Sequence, residues 1–308
     1  MSSIGTLVAN RPAATVGDFF ALMKPRVMSL VLFTALAGMI AAPGPFRIMT
    51  ALCGLLCIAI GAGASGALNM AYEGDIDRLM ARTASRPVPA GRIAREDALA
   101  FGWTLAVAAV AMMLLFVGAL AAGLLAFTIF FYVGVYTLIL KRRTPQNIVI
   151  GGLSGALPPA IGWAVTAGAL SWQPLLLVAI IFLWTPPHFW SLSLFSSGDY
   201  ARAGVPMLPV VRGKRSTRLH ILAYVLLLVP FGLAPSAFGM AGPLYLAAAA
   251  GVGALLLWKT QPVMDERDEA REPAARRLFA VTIFYLFSLF AALIAERIGG
   301  IAPVHAWI

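Results

Sequence analysis

Long apolar runs separated by short polar or charged segments dominate the chain. Nine runs are long enough to cross a bilayer as helices, because about 20 apolar residues span its hydrocarbon core. They cover residues 20–42, 47–72, 96–116, 118–140, 147–167, 173–195, 219–239, 241–259 and 277–297. The pattern predicts an all-α, polytopic membrane bundle of about nine transmembrane helices. We expect a single domain over residues 1–308, with residues 1–19 as an N-terminal tail. Pro158-Pro159 and Pro186-Pro187 are expected to interrupt the fifth and sixth spans.

Composition and charge agree with this interpretation. The chain is 60% hydrophobic and only 12% charged, whereas soluble domains carry about 25% charged residues. When the loops are assigned alternately to two sides, all of the 23 Lys and Arg except Arg47 and Arg297 fall on the side of the N-terminus. By the positive-inside rule this side is cytoplasmic. The sequence therefore predicts a multi-pass protein of the cell inner membrane, with the N-terminus cytoplasmic and the C-terminus on the opposite side.

The net charge of +10 would suggest a nucleic-acid partner in a soluble protein. In a membrane protein it reflects basic loops at an anionic leaflet, so we expect a lipid bilayer and no nucleic acid as partner. Of the 13 acidic residues, all except Glu296 share the basic side, which the positive-inside rule does not require. Polar chemistry is therefore expected at the cytoplasmic face. The acidic run 265–272, balanced by Arg267 and Arg271, is typical of a solvated loop.

The richest polar segment follows the second predicted span. Asn69, Glu73 and Asp77 recur every fourth residue, so on a helix they lie along one face, about 6 Å apart along the axis. Asp75 is two residues off this line and points elsewhere. Carboxylate and amide oxygens suit Mg²⁺, which takes few protein ligands together with phosphate and water oxygens. The segment predicts a Mg²⁺ site, although ion pairs in a solvated loop are the other interpretation.

Basic residues near these oxygens indicate a phosphate-bearing substrate. Arg78, Arg82 and Arg86 follow at the same four-residue interval, and guanidinium groups pair well with phosphate oxygens. Metal ligands beside phosphate binders predict a diphosphate held partly through Mg²⁺. Lys141 and Arg142, which follow the fourth span, are consistent with contacts to the same anion, although an ordinary positive-inside loop would also explain them.

A third polar stretch surrounds the end of the sixth span. His188 lies within apolar sequence, where a histidine is more often a satisfied core residue than a functional one. Asp199 is the only acid between Asp97 and Asp265. We expect Asp199 to be a second metal ligand that faces the first cluster across the bundle.

Together these segments resemble the intramembrane (UbiA-like) prenyltransferases. The pattern N-x-x-x-E-x-D-x-D followed by M-x-R-T-x-x-R-P at 69–87 is similar to their first aspartate-rich motif. The particular residues of this motif are similar to those of one branch of the family, the protohaem IX farnesyltransferases, which farnesylate haem. Three further segments resemble the same branch: Y-T-x-x-L-K-R-R-T-P-Q-N at 136–147, T-P-P-H-F-W at 185–190 and D-Y-x-x-A-G-V-P-M-L-P at 199–209. The order and spacing match over most of the chain. Ala203 stands four positions after Asp199, so the second acidic motif is reduced relative to the wider superfamily.

The resemblance implies a nine-helix bundle around a central cavity that opens to the cytoplasmic side and to lipid. It implies transfer of a farnesyl group from farnesyl diphosphate to a vinyl group of haem B, with addition of water, giving haem O and diphosphate, and it implies Mg²⁺ as cofactor. Haem A synthase or terminal oxidase assembly factors are the implied partners.

Carried onto this sequence, the resemblance and the spacing together give four sets of candidate residues. The metal ligands are Asn69, Glu73, Asp77 and Asp199; the catalytic residues are Asp75, Asp77, Asp199 and His188, the last orienting haem or water; the diphosphate-binding residues are Arg78, Arg82, Arg86, Tyr136, Lys141 and Arg142; further candidates are Lys24, Arg26, Asn147 and Tyr200.

Two other interpretations stay open. One is a prenyltransferase that acts on another aromatic or quinone-precursor acceptor, against which the T-P-P-H-F-W segment argues. The other is a non-catalytic haem-binding or transport protein of oxidase assembly. That class predicts ionisable groups through the membrane depth and on both faces, whereas here they gather at one face.

Overall fold

The computed structural model of the protein describes residues 14–304. Over that range the chain is helical and has no β-strand. Residues 1–13, most of the predicted N-terminal tail, lie outside the described residues. The helices are α1 (Val16–Leu22), α2 (Pro25–Ala41), α3 (Ile48–Arg78), α4 (Arg95–Phe116), α5 (Ala119–Phe130), which continues as a π-helix over Phe131–Leu140, α6 (Asn147–Ala156), α7 (Pro158–Ala167), α8 (Trp172–Phe195), α9 (Ser197–Arg202), α10 (Leu208–Ala237), α11 (Pro243–Met264) and α12 (Pro273–Ile298).

Eight segments of the described chain are long and apolar enough to cross a bilayer. The pair α1 and α2 adds a ninth when both are counted as one span bent by 52°. The predicted all-α polytopic fold is confirmed. The two boundaries that differ most from the prediction are the end of α3 and the start of α10. Helix α3 continues to Arg78, so the whole line from Asn69 to Asp77 is helical, and α10 begins at Leu208. Its path breaks at Gly213, whose φ of 78° is favourable for glycine.

The first span, predicted over residues 20–42, is bent at Lys24. Lys24 has a φ of 53°, in the left-handed region that non-glycine residues rarely adopt. The end of α1 packs against α3 at Gly66, where an added Cβ would lie 3.0 Å from the last carbonyl oxygen of α1. This close approach holds the bend beside Asn69, one turn further along α3.

Two proline pairs have different effects on their spans. At Pro158-Pro159 the fifth span divides into α6 and α7, as predicted. At Pro186-Pro187 the predicted interruption is wrong, because α8 continues as one helix. A proline removes one backbone donor, and transmembrane helices tolerate this where neighbouring groups surround the freed carbonyls. The α7 segment also crosses α2 closely, since a Cβ on Gly38 or Gly162 would overlap a carbonyl group of the facing helix.

The acidic run between α11 and α12 is more ordered than a solvated loop. Glu272 is fully buried and pairs with Lys214 at 3.1 Å and Arg218 at 3.0 Å. Glu266 accepts a hydrogen bond from the backbone N–H of Ala274, and this bond lowers the pKa of Glu266. The prediction of a wholly solvated loop is therefore wrong. Side chains of the run form ion pairs with α10 and a hydrogen bond with the start of α12.

Among the described residues, the opposite end of the bundle contains one buried carboxylate, which acts as a helix cap. Glu296, near the end of α12, accepts hydrogen bonds from the backbone N–H groups of Gly242 at 2.6 Å and Tyr245 at 2.7 Å. These donors belong to the first turn of α11, which has no side-chain cap of its own. A carboxylate there stabilises the helix N-terminus, so this acid has a structural role.

Candidate active site

The predicted oxygen ligands lie on one buried face of α3. Asn69, Glu73 and Asp77 are almost completely buried, and we call them the inner line. Asp75 is two residues from each of the two inner carboxylates, about 200° around the helix. Its side chain is 63% exposed. The structure therefore separates Asp75 from the inner line and places it on the outer face of α3.

The amide of the inner line is held by a cation and a hydroxyl. Lys24 Nζ donates to Asn69 Oδ1 at 2.6 Å. Asn69 Nδ2 donates to Thr137 Oγ1 at 3.0 Å. These two bonds determine the orientation of the Asn69 side-chain amide. They also connect the α1–α2 bend, α3 and the π-helix at one point.

Both inner carboxylates pair with basic side chains. Lys141 forms a short ion pair with Glu73, and Arg86 Nη1 lies 2.7 Å from Asp77 Oδ2. Burial of the Lys141 ammonium lowers its pKa, but the ion pair and hydrogen bond with Glu73, together with the nearby Asp77 carboxylate, outweigh burial, so the pKa of Lys141 is raised. The negative charge of the inner line is thus balanced by side chains from outside α3.

The segment after α3 folds back onto the inner line. Thr83 is fully buried and its hydroxyl donates to the carbonyl oxygen of Asp77 at 2.7 Å. A backbone turn from Arg86 N–H to the Thr83 carbonyl follows, and it returns the Arg86 guanidinium to the Asp77 side chain. The R-T-x-x-R-P part of the motif is therefore a turn that covers the end of the inner line.

The π-helix directs two consecutive cations to opposite faces of α3. The backbone N–H of Lys141 bonds to the carbonyl of Tyr136, five residues back, which is the spacing of a π-turn. Lys141 reaches Glu73 on the inner line, whereas Arg142 forms a two-pronged ion pair with Asp75 at 2.7 and 2.8 Å.

The outer face borders a cavity of about 600 Å³. Asp75, Arg78 and Arg142 line it, together with part of the segment before α4 and the first residues of α4, Arg95 and Glu96. Three residues predicted for one site with the inner line are therefore located on the other side of the same helix.

The second acidic motif reaches the end of α3 through apolar contacts. Ile76 and Met80 pack in one buried cluster with Tyr200 and Val205. Asp199 forms an ion pair with Arg202 three residues later. Between residues 14 and 304 no group of three or more His, Cys, Asp or Glu side chains is arranged to hold a metal ion. The structure brings the two motifs together without collecting their carboxylates.

The donor set of the inner line nevertheless fits Mg²⁺. Glu73 Oε1 is buried and has no hydrogen-bond partner in the described chain, and the same holds for Asn147 Oδ1 at the start of α6. Buried polar atoms without partners are costly, so a ligand that supplies positive charge would stabilise the Glu73 oxygen. Mg²⁺ is bound through one or two carboxylates plus substrate phosphates rather than by a protein cage, which the inner line can provide.

His188 is fixed on α8 by stacking and by one hydrogen bond. Its ring lies between Trp184 and Phe279, with centroid distances of 4.3 and 4.4 Å. Thr282 Oγ1 donates to the carbonyl of Phe279 at 2.6 Å, so it accepts from His188 Nδ1–H at 2.8 Å. The assigned tautomer leaves a lone pair on His188 Nε2.

The remaining candidates differ in burial. The ring of Tyr136 lies 5.9 Å from Lys141 Nζ, and Tyr200 is buried. Arg26 and Arg82 are exposed.

Comparison with known proteins places this site in a family. Residues 30–294 match the UbiA prenyltransferase family. The chain belongs to this family. Curated relatives include the protoheme IX farnesyltransferase of Parvibaculum lavamentivorans, 56% identical over 92% of this chain and 90% of the relative. The protein of the same name from a Bradyrhizobium species is 56% identical over 96% of this chain and 95% of the relative.

Solved structures share the UbiA fold at low sequence identity. A digeranylgeranylglyceryl phosphate synthase has a TM-score of 0.75 and 18% identity, and the match covers 92% of this chain and 99% of that one. A UbiA homolog from Archaeoglobus fulgidus bound to GPP and Mg²⁺ has a TM-score of 0.63 and 15% identity, over 90% of this chain and 99% of that one. These matches establish the architecture of this UbiA family member.

Sequence reasoning missed three residues in and around this UbiA site. Thr137 lies next to the predicted Tyr136, and its link to α3 spans 68 residues of sequence. Thr282 orients His188 across 94 residues. Arg95 lines the outer cavity from α4. Only Thr137 had a local signal, since it belongs to the Y-T-x-x-L-K-R-R segment.

Proposed function

We propose that this chain transfers a farnesyl group from farnesyl diphosphate to a vinyl group of haem B, with addition of water, giving haem O and diphosphate. The observation that carries the proposal is 56% identity, over more than nine-tenths of the chain, to proteins named protoheme IX farnesyltransferase. A buried line of oxygen donors opposed by cations supports the same chemistry.

The inner line and its cations are placed to exchange partners. Glu73, Asp77 and Asn69 are the groups that would hold Mg²⁺, and Lys141 and Arg86 would turn from the carboxylates to diphosphate oxygens. Bound Mg²⁺ would neutralise charge that develops on the leaving group. The exchange keeps every buried charge compensated, which matters because an unpaired buried charge is strongly destabilising.

The reaction balances with water as the third reactant. The carbon–oxygen bond of farnesyl diphosphate breaks and its electron pair leaves with diphosphate. The terminal vinyl carbon of haem bonds to the allylic carbon, and the adjacent haem carbon becomes cationic. Water bonds to that carbon and loses a proton, which leaves a hydroxyl group. Lys141 and Arg86 act on the leaving group by preorganised electrostatic stabilisation.

His188 is proposed to orient haem through its Nε2 lone pair, because a neutral imidazole fixed by a hydrogen bond at the other nitrogen is a common iron ligand. Adding haem B to the purified protein is expected to shift the haem absorption spectrum towards that of a histidine complex. His188→Ala should remove the shift. Identical spectra and affinities for the two proteins would exclude this role.

The cellular setting follows from the charge distribution. We propose the bacterial inner membrane with the N-terminus in the cytoplasm, since the basic residues collect at that end. Haem A synthase or oxidase assembly factors are the proposed recipients of the product.

A direct assay tests the proposed reaction. Purified full-length protein in detergent is incubated with haem B, farnesyl diphosphate and Mg²⁺, and the haem mass is measured. The expected product has gained one farnesyl group and one hydroxyl group. A parallel reaction replaces haem with an aromatic quinone precursor. Prenylation of that acceptor alone, or no product while the Parvibaculum relative converts haem, would reject the proposal.

A further inference from the structure

The cavity on the outer face of α3 is separate from the inner line and has no part in the chemistry above. We propose that it binds a phosphate-bearing anion. Its volume is about 600 Å³, within the range of roughly 300–1,000 Å³ typical of ligand pockets. The charged groups that line it are Arg78, Arg95, Arg142, Asp75 and Glu96.

Two of these arginines are anchored with their terminal nitrogens unused. Arg78 Nε donates to the carbonyl of Pro89 at 3.2 Å, and Arg95 Nε donates to the carbonyl of Ala71 at 3.3 Å. The Arg95 guanidinium also lies 5.7 Å from the centroid of the Tyr72 ring. Within residues 14–304 the terminal nitrogens of both arginines have no hydrogen-bond partner. A guanidinium held by its Nε edge presents a fork that matches phosphate oxygens.

The charge balance of the cavity favours one anionic group. Arg142 and Asp75 neutralise each other in a two-pronged pair. Two unpaired guanidinium groups, of Arg78 and Arg95, then face one carboxylate, that of Glu96. The cavity therefore retains positive charge that a single phosphate would offset.

The cavity lies where the lipid-facing surface of α4 begins. Trp103 and Val107 follow Glu96 two and three turns further along the same side of α4, and their side chains are 49% and 67% exposed. An exposed apolar stripe on a membrane-spanning helix faces lipid, with tryptophan at the interface. A phospholipid headgroup and a phosphate from the aqueous side could both reach this position, and both carry the phosphate chemistry that the arginines recognise.

Two binding measurements test the proposal without relying on farnesyl transfer. Delipidated full-length protein in detergent receives dioleoylphosphatidylglycerol in one arm, with bound lipid counted by native mass spectrometry. In the other arm inorganic diphosphate is titrated calorimetrically in EDTA, so that Mg²⁺-dependent binding at the inner line is absent. We expect Arg78→Gln/Arg95→Gln to weaken binding at least about tenfold. The control Arg267→Gln/Arg271→Gln removes the same charge from the α11–α12 loop and should stay within twofold, roughly the effect of distant screened charges.

A second variant distinguishes a change in the binding site from misfolding of the protein. Glu96→Gln removes the opposing carboxylate and should tighten binding by roughly two- to fivefold, a gain that a damaged fold would not produce. Loss of lipid alone in the arginine variant identifies a headgroup site, and loss of diphosphate alone identifies a soluble phosphate. Binding of neither probe by the wild type, or unchanged binding by the arginine variant, would overturn the proposal. A failed farnesyl assay would leave these results unaffected.

Discussion

Replacing Asp77 with Asn is expected to lower kcat of farnesyl transfer by roughly 10²–10³-fold, since losing a metal-binding carboxylate removes several kcal/mol of charge stabilisation in the transition state. Asp77 is the inner carboxylate that the returning Arg86 contacts, so the variant alters both the proposed metal ligand and the position of a diphosphate cation. The measurement is steady-state turnover at increasing Mg²⁺, where the apparent Mg²⁺ affinity should also fall.

The matched control for this variant is Asp97→Asn. Asp97 is an exposed acid in the first turn of α4, so the substitution removes the same charge from the same end of the bundle. It should change turnover by less than about threefold, as expected for a surface charge. Full turnover by Asp77→Asn at ordinary Mg²⁺ would remove Asp77 from the metal site.

Removing both charges of the Glu73–Lys141 pair is expected to restore the stability that either single substitution loses, but not the activity. Glu73→Gln or Lys141→Met alone leaves a buried charge without its partner, which costs about 3–5 kcal/mol. The double variant removes both charges and should recover much of the thermal stability measured in detergent. Its turnover should stay at least about a hundredfold below wild type, because the proposed roles on Mg²⁺ and diphosphate need both side chains.

A more exposed ion pair provides the comparison. Arg92 Nε lies 2.7 Å from Asp18 Oδ1, and among the described residues neither side chain bonds to the inner line. Arg92→Gln, Asp18→Asn and their double variant should all stay within about 1 kcal/mol of wild type. If Glu73→Gln/Lys141→Met regained turnover along with stability, the pair would be structural only.

The spans could be predicted because apolar length is imposed by the bilayer and can be read locally. The inner line could also be predicted, since a four-residue interval defines one helix face. The bend at Lys24 could not, because it depends on the contact between the end of α1 and Gly66 of α3. Sequence spacing likewise could not show that Arg78 and Arg142 turn to the outer face with Asp75.

Long-range contacts account for the other differences. Glu272 belongs to a run whose composition is typical of a solvent-exposed loop. It is nevertheless buried, and it forms ion pairs with Lys214 and Arg218, which lie more than fifty residues earlier in the sequence. The orientation of His188 depends on Thr282 of α12. Such pairings arise from packing of the bundle, and no pattern along a single segment encodes them.

The π-helix over residues 131–140 has a consequence for how the family can vary. Its turns close over five residues instead of four, so its register depends on the number of residues it contains. Deleting one residue would turn the following cations by roughly a quarter of a turn around the helix axis and take Lys141 away from Glu73. Related sequences should therefore accept substitutions in this stretch but keep it free of alignment gaps.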